Sequence, residues 1–446
     1  MAVAEPTTMA VASASSLVCA GTGNDGVLGL GPLDWINACD YPSQLFVYEG
    51  SLDAGVLKRS LARLLQDFRP FAGRCALAAD GIPSIAVNDA GVRFTEQHSP
   101  LTLTEFLREC GSSAGAGEYA DRIAPFKSAS SDSPLLAIRL TQLRGGGSVL
   151  GVTHFHGICD GGGMFQFFTA WSRTIQGAPY PSPLFDRATL EPLQQSHSGV
   201  APSEHDSFPG INLLELMQLF TRVKGLADRS RRRVIHFSAA ALGAIRRHAL
   251  QQGKRPSKWF SAQDLLVAHL WREVALAQTE CDEIALAYIL DLRQRHGFEL
   301  PEAYIGNAHS IRSGRLTTPE SQLPDLIELA QRVREISDNA EPRSVGQDMA
   351  YLARCMPGSN KLHITETALR PTETLTVNNL SSLPCYDIDL GVGAPVWYVP
   401  PEYPGCRIVH IVPSARRDGG FDVHIKLDPQ EMDRLQRRHD ALLAQA

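Results

Sequence analysis

Apolar positions alternate or recur at helical spacing along most of this 446-residue chain. The sharpest change of period falls near the end of its first third. An apolar run over 149–155 predicts a strand, His156 and Asp160 occupy the turn after it, and Gly161, Gly162 and Gly163 lead into an amphipathic helix over 164–175. Upstream, Gln44, Leu45, Phe46, Val47 and Tyr48 read as a strand. Ser51 and Asp53 cap a helix that carries Val56, Leu57, Leu61, Leu64, Leu65 and Phe68 on one face and stops at Pro70. Segments 74–78 and 82–87 flank Asp80-Gly81, a hairpin signal, and 101–110 reads as a short helix followed by a loop of small residues over 111–117. Strands over 135–143 and 148–155 pair across Gly145-Gly146-Gly147.

Residues 177–210 are rich in Pro and Ser and lack either period. A loop that long is unusual inside one compact domain, so it reads as a crossover between two. Beyond it the pattern predicts helices over 213–223, 239–251, 325–336 and from about Pro429. A further helix opens at the capping-box sequence Ser261-Ala262-Gln263-Asp264. Strands are predicted over 234–237, 284–290, 375–377, 396–399, 407–412 and 421–425. Strands and helices alternate in both halves, with no internal repeat, so the expected class is α/β, mixed sheets covered by helices. The expected division is a disordered tail over 1–27, an N-terminal domain over 28–180, a crossover over 181–212 and a C-terminal domain over 213–446.

Composition narrows the partners. Hydrophobic residues make up 43% and charged residues 20% of the chain, the balance of an ordinary globular protein. A net charge of −6 argues against nucleic acid or an anionic membrane as main partner, and no apolar run reaches the roughly 18 residues of a membrane span. The first 57 residues contain no Lys or Arg, against a secretory or transit leader; Met9 is an alternative start. Nine cysteines without a C-x-x-C pair read as free thiols of a reducing cytosol.

Histidine is the one side chain whose ordinary pKa lies near neutrality, so an imidazole fixed at a strand end suits a general base. H-x-x-x-D spacing alone is weak, because His424 and Asp428 repeat it in a plain strand, where Asp428 caps a helix before Pro429. His156 differs in its turn and its glycines. A Cys159 nucleophile would need its own adjacent base, and the turn separates it from His156. His154 with His156 could open a metal site in a hydrolase, but no further clustered ligands accompany them, so no metal is expected. His269 reads as a packed helix residue, and Arg229, Arg231, Arg232 and Arg233 as a solvated basic face.

His156-Gly157-Ile158-Cys159-Asp160-Gly161 resembles the H-x-x-x-D-G signature of the plant-type BAHD acyltransferases. Asp387-Ile388-Asp389-Leu390-Gly391-Val392-Gly393 is similar to their D-F-G-W-G segment, with Leu390 and Val392 in place of the aromatics. Phe71-Ala72-Gly73-Arg74, Ala268-His269-Leu270-Trp271-Arg272, Asp291-Leu292-Arg293 and Tyr304-Ile305-Gly306-Asn307 are lesser echoes in the same order. The resemblance implies two chloramphenicol-acetyltransferase-like domains with a tunnel at their interface. It implies transfer of an acyl group from acyl-CoA, as co-substrate, to a hydroxyl or amine of a small molecule, with no cofactor. It makes His156 the base, and Asp160, Gly161, Asp389, Gly391 and Gly393 supporting structure. Arg293 becomes a partner for Asp160 or Asp389. Asn378 and Asn379 are oxyanion candidates, and Leu380 stands where many members carry a pocket-lining Trp. A cytoplasmic monomer is expected. A binding protein of the same fold without turnover is the alternative.

Overall fold

The computed structural model describes all residues except 1–10, 39, 78–80, 111–117, 124–131, 197–207, 253–259, 279–280, 294, 318–322, 360, 402–404, 406 and 445–446. The expected loop over 111–117 and Asp80 of the predicted hairpin lie outside the described residues. The chain packs as two units. One comprises 1–187, 303–307 and 384–402; the other comprises 188–302, 308–383 and 403–446. The division is therefore not the contiguous one, 28–180 and 213–446, that the sequence pattern suggests. Two segments from the second half, including the D-F-G-W-G-like stretch, belong to the first unit.

The first unit holds a six-stranded sheet in the order Val11–Val18, Val92–Ser99, Leu136–Leu143, Ser148–His154, Ser43–Tyr48, Trp397–Val399. Its neighbours are antiparallel except Val92–Ser99 with Leu136–Leu143. Every residue of Ser148–His154 is buried, as its near-continuous apolar run requires of an inner strand. Gly151 in its middle has a packing reason: a Cβ there would lie 1.9 Å from the Tyr119 carbonyl oxygen. The predicted capped helix is Ala54–Leu64, with Asp53 accepting from the Val56 N–H at 2.7 Å and Leu57, Leu61 and Leu64 turned inward. Phe46 meets Phe165, Phe168 and Tyr398 at ring separations of 4.9–6.0 Å, fastening the helix Gly161–Gln176 to the sheet.

The expected tail is corrected: Val11–Val18 forms an antiparallel edge strand on Val92–Ser99, and Val27–Gly29 pairs with Pro83–Ala86. Residues 1–10 lie outside the described residues. Small side chains such as Ala12, Ser13, Ala14, Ser15 and Ser16 carry no hydrophobic signal, yet their backbone completes the ladder of an existing strand.

The second unit holds another six-stranded sheet, in the order Arg231–Phe237, Phe421–Leu427, Ile408–Pro413, Thr374–Asn379, Glu283–Asp291, His309–Thr317. Helix Ala262–Ala277 carries the predicted capping box, the Asp264 N–H donating to Ser261 Oγ and the Ser261 N–H to Asp264 Oδ2. It packs beside Leu326–Asp338, which Asp325 caps. The expected crossover contains a helical turn, Arg187–Leu190, and a short helix, Glu191–Gln195.

Candidate active site

The turn after Ser148–His154 is held by backbone bonds along its length. The Phe155 N–H donates to Leu135 O (2.7 Å), the His156 N–H to Asp40 O (2.9 Å) and the Ile158 N–H to Phe155 O (3.1 Å). Gly157 is required by crowding, since a Cβ there would meet the Phe155 ring at 2.5 Å. Asp160 is the N-cap of Gly161–Gln176, its Oδ1 accepting from the Gly163 N–H at 3.0 Å. That bond ties the carboxylate to the helix terminus, where the backbone dipole favours negative charge. Gly161 is the first helical residue.

The His156 imidazole is 8% exposed, and its Nδ1 lies 3.1 Å from Asn307 Oδ1. Asn307 has little freedom. Its Nδ2 donates to Asp34 Oδ1 and to the His156 carbonyl, both at 2.8 Å, and its backbone N–H donates to Asp34 Oδ1 at 3.1 Å. Carboxylate and carbonyl only accept, so the amide nitrogen must face them and its oxygen must face the ring. An oxygen acceptor at Nδ1 requires the proton there. Nε2 is then the nitrogen with the lone pair.

Asp34 is 2% exposed and sits at the centre of a larger set of bonds. Its Oδ2 accepts from Arg187 Nε at 2.8 Å and from the Gly31 N–H at 2.9 Å. Arg187 also donates to the carbonyls of Ile158 (2.7 Å), Phe185 (3.0 Å) and Ile305. Burial would lower the Arg187 guanidinium, but Asp34 beside it holds it above its ordinary value. Segments around 34, 156, 187 and 305 thus meet on one ion pair, and all belong to the first unit.

His154 and His156 point from the same strand end, ring centroids 5.9 Å apart. Burial, and secondarily His156, push the His154 pKa down to about 3, so His154 is neutral near pH 7. Burial pushes the Asp40 carboxyl up to about 6. Cys159 is wholly buried.

The second motif is anchored within the same unit. Asp389 Oδ1 accepts from the N–H groups of Gly391 (2.8 Å) and Gly393 (2.9 Å), whose φ values of 99° and 91° favour glycine. Ser172 Oγ donates to Asp389 O at 2.7 Å and Tyr48 Oη to Ile388 O at 2.9 Å. Val392 lies against Gly50, where a Cβ would approach its own Cβ to 2.6 Å.

In the second unit, Arg293 Nη1 bonds Asp291 Oδ1 at 3.1 Å. Asn378 and Asn379 end the strand Thr374–Asn379, Asn379 Nδ2 donating to Tyr288 Oη at 3.3 Å and its Oδ1 accepting from the Ser381 N–H at 3.1 Å. Leu380 is buried. His424 is buried in its strand with Nδ1 2.8 Å from Arg232 Nη2, and His269 is buried against Phe237 and His439. Among the described residues no group of three or more His, Cys, Asp or Glu is placed to hold a metal ion, and no helix is long and apolar enough to cross a membrane.

Asn307, Asp34 and Arg187 are the site residues that sequence reasoning passed over. Tyr304-Ile305-Gly306-Asn307 reads locally as a turn, and Leu33-Asp34 as the approach to a strand. The only hint was the lesser echo that ends on Asn307.

The model of the Transferase family matches residues 21–442. Agmatine coumaroyltransferase-1 of Hordeum vulgare is 28% identical over 436 residues, covering 91% of this chain and 92% of that protein. A hydroxycinnamoyltransferase of Narcissus pseudonarcissus is 28% identical, covering 86% and 87%. The crystal structure of F. graminearum TRI101 complexed with Coenzyme A and T-2 mycotoxin superimposes with a TM-score of 0.75 at 18% identity, over 92% of this chain and 97% of that one. Its fold is the two-domain chloramphenicol-acetyltransferase-like one. With its family model matched over nearly all its length, this chain belongs to the Transferase family, the acyl-CoA-dependent acyltransferases of the BAHD type.

Proposed function

We propose that His156 is the general base that deprotonates a hydroxyl or amine acceptor for attack on an acyl-CoA thioester. The observation that carries this is the bond between His156 Nδ1 and Asn307 Oδ1, which leaves the Nε2 lone pair to accept a proton. As the acceptor attacks the thioester carbonyl, its proton passes to Nε2. The tetrahedral intermediate then collapses, the carbon–sulfur bond breaks, and Nε2 returns the proton to the departing CoA thiolate. Holding both substrates together supplies further acceleration without a covalent enzyme intermediate.

Asp160 and Gly161 support the turn from the helix terminus. Asp389, Gly391 and Gly393 support it through the loop that Ser172 and Tyr48 anchor. Arg293, which bonds Asp291, is a supporting residue, and Asn378, Asn379 and Leu380 are the oxyanion or acceptor-pocket candidates. The protein works as a cytoplasmic monomer. The name of the Hordeum vulgare relative couples a coumaroyl group to agmatine, which supports an aromatic acyl donor and an amine among the acceptors to be tried.

The test is acceptor-dependent release of CoA thiol from acetyl-, malonyl- and coumaroyl-CoA against pooled alcohols and amines, with and without chelator. Thiol release that survives chelation and falls at least about a hundredfold in His156→Ala, with CoA binding kept, is expected. Wild-type turnover in that variant refutes the base assignment.

A further inference from the structure

We infer that Asp34, held by Arg187, is a positioning residue that sets the tautomer of His156 through the orientation of the Asn307 amide. This rests on the reading of His156 as base. An Asn side chain presents nearly the same shape either way round, so the flip is decided by its neighbours. Two acceptors fix it here: the His156 carbonyl and Asp34 Oδ1, each 2.8 Å from Asn307 Nδ2. Asp34 is the only one of the two that is charged, and Asp34 Oδ1 also takes the Asn307 backbone N–H. The carboxylate is surrounded by donors on both oxygens, with the Gly31 N–H and Arg187 Nε at Oδ2. A charged acceptor makes bonds roughly twice as strong as a neutral one, and its loss would leave the flip to the neutral His156 carbonyl and to the long bond, 3.4 Å, that Asn37 Nδ2 donates to Asn307 Oδ1.

The consequence reaches the reacting nitrogen. If Asn307 turns over, its NH2 faces His156 Nδ1, which must then accept. The proton moves to Nε2, the nitrogen that has to receive a proton from the acceptor, and the base is disabled without any change in substrate contacts. Asp34→Asn invites this inversion. Either way round, an amide NH2 at residue 34 opposes two of the four donors; facing Asn307 rather than the Arg187 guanidinium, it is relieved when Asn307 presents its oxygen to it.

The experiment reads the tautomer directly, by 15N spectra of imidazole-labelled enzyme, together with kcat and KM. The wild type is expected to carry the His156 proton on Nδ1. Asp34→Asn is expected to move it to Nε2 and to lower kcat at least about tenfold, with KM for acyl-CoA within about twofold. The combination with Asn307→Ala should be no worse than Asn307→Ala alone, because Asp34 acts only through Asn307. A retained Nδ1 proton in Asp34→Asn, or losses that multiply in the double variant, overturns the inference. Should Asp34→Asn fail to fold, Asp34→Leu with Arg187→Met removes the buried pair together at similar volume. With the charged acceptor gone the Nε2-protonated form should become detectable there, and a spectrum unchanged from wild type is refuting. Because the tautomer is read without turnover, this outcome is separable from failure of the base assignment in His156→Ala.

Discussion

Acid should loosen the second unit before the first, and the size of the difference follows from the buried histidines. His269 and His410 lie in the second unit with pKa values pushed down, chiefly by burial, to about 4 and about 3. Unfolding restores each towards 6.5, so the unfolded chain binds protons that the folded unit refuses. Stability is therefore full above about pH 6.5 and is lost as pH falls from there towards 3 or 4. Between pH 7.5 and pH 5.0 each histidine costs about 2 kcal/mol, and the two together about 4 kcal/mol. His424, held well below its ordinary value by burial and by Arg232, acts in the same direction.

The first unit behaves differently. His154 costs about 2 kcal/mol over the same range, but Asp40 works against it. Its carboxyl, raised to about 6, is protonated more readily folded than unfolded and returns roughly 1 kcal/mol by pH 5.0. The net loss is about 1 kcal/mol. Hydrogen exchange read by mass spectrometry at pH 7.5 and 5.0, corrected for intrinsic rates, reports both units at once. Strands Glu283–Asp291 and Ile408–Pro413 should lose several kcal/mol of protection while Leu136–Leu143 and Ser148–His154 lose little. Equal loss in both units, or none in the second, would refute the reasoning.

Gly151→Ala should prevent folding of the first unit, because the new methyl would lie 1.9 Å from backbone at Tyr119; a soluble variant with wild-type melting would contradict that packing. Asp160→Asn keeps an oxygen for the Gly163 N–H, whereas Asp160→Ala loses it and should cost about 1 kcal/mol by thermal unfolding, so equal losses would sink the cap. Gly391→Ala meets no atom closer than Ile175 Cγ2 at 3.6 Å, so its cost should be the backbone's alone, about 1–2 kcal/mol at φ 99°; a null effect on melting would mean the loop relaxes.

The stretch from Ser148 to Gln176 was legible because its signals are local: an apolar run, a turn with its cap, and a helix period. Asp53 and Ser261 were legible as caps for the same reason. The strands Val11–Val18, Val92–Ser99 and His309–Thr317 were not, since alternation is blurred where small or polar residues border a sheet whose other strands set the register. Helix Pro342–Cys355 also went unread, its apolar Val345, Met349 and Leu352 being interrupted by Gly346 and Asp348. At the site, His156 announced itself, but Asn307 stands 151 residues from it and Arg187 stands 153 from Asp34. No local period encodes such pairs. Only the folded chain brings an ordinary turn residue against the imidazole.

The edge strand Trp397–Val399 has a consequence for how the chain is made. It covers Ser43–Tyr48, whose Leu45, Phe46, Val47 and Tyr48 are wholly buried in the finished protein. During synthesis those residues emerge long before their cover does. At about 5–20 residues per second, the ribosome needs on the order of 10–40 s between residue 187 and residue 399. Throughout that interval the nascent first unit offers an apolar strand with an open row of backbone donors and acceptors, the kind of edge that recruits other chains. A truncated product ending near residue 187 would keep that edge permanently and would lack Asn307 as well. Such fragments should aggregate where the whole chain stays dispersed, and the nascent chain should depend on chaperones that mask strand edges until its last quarter has been translated.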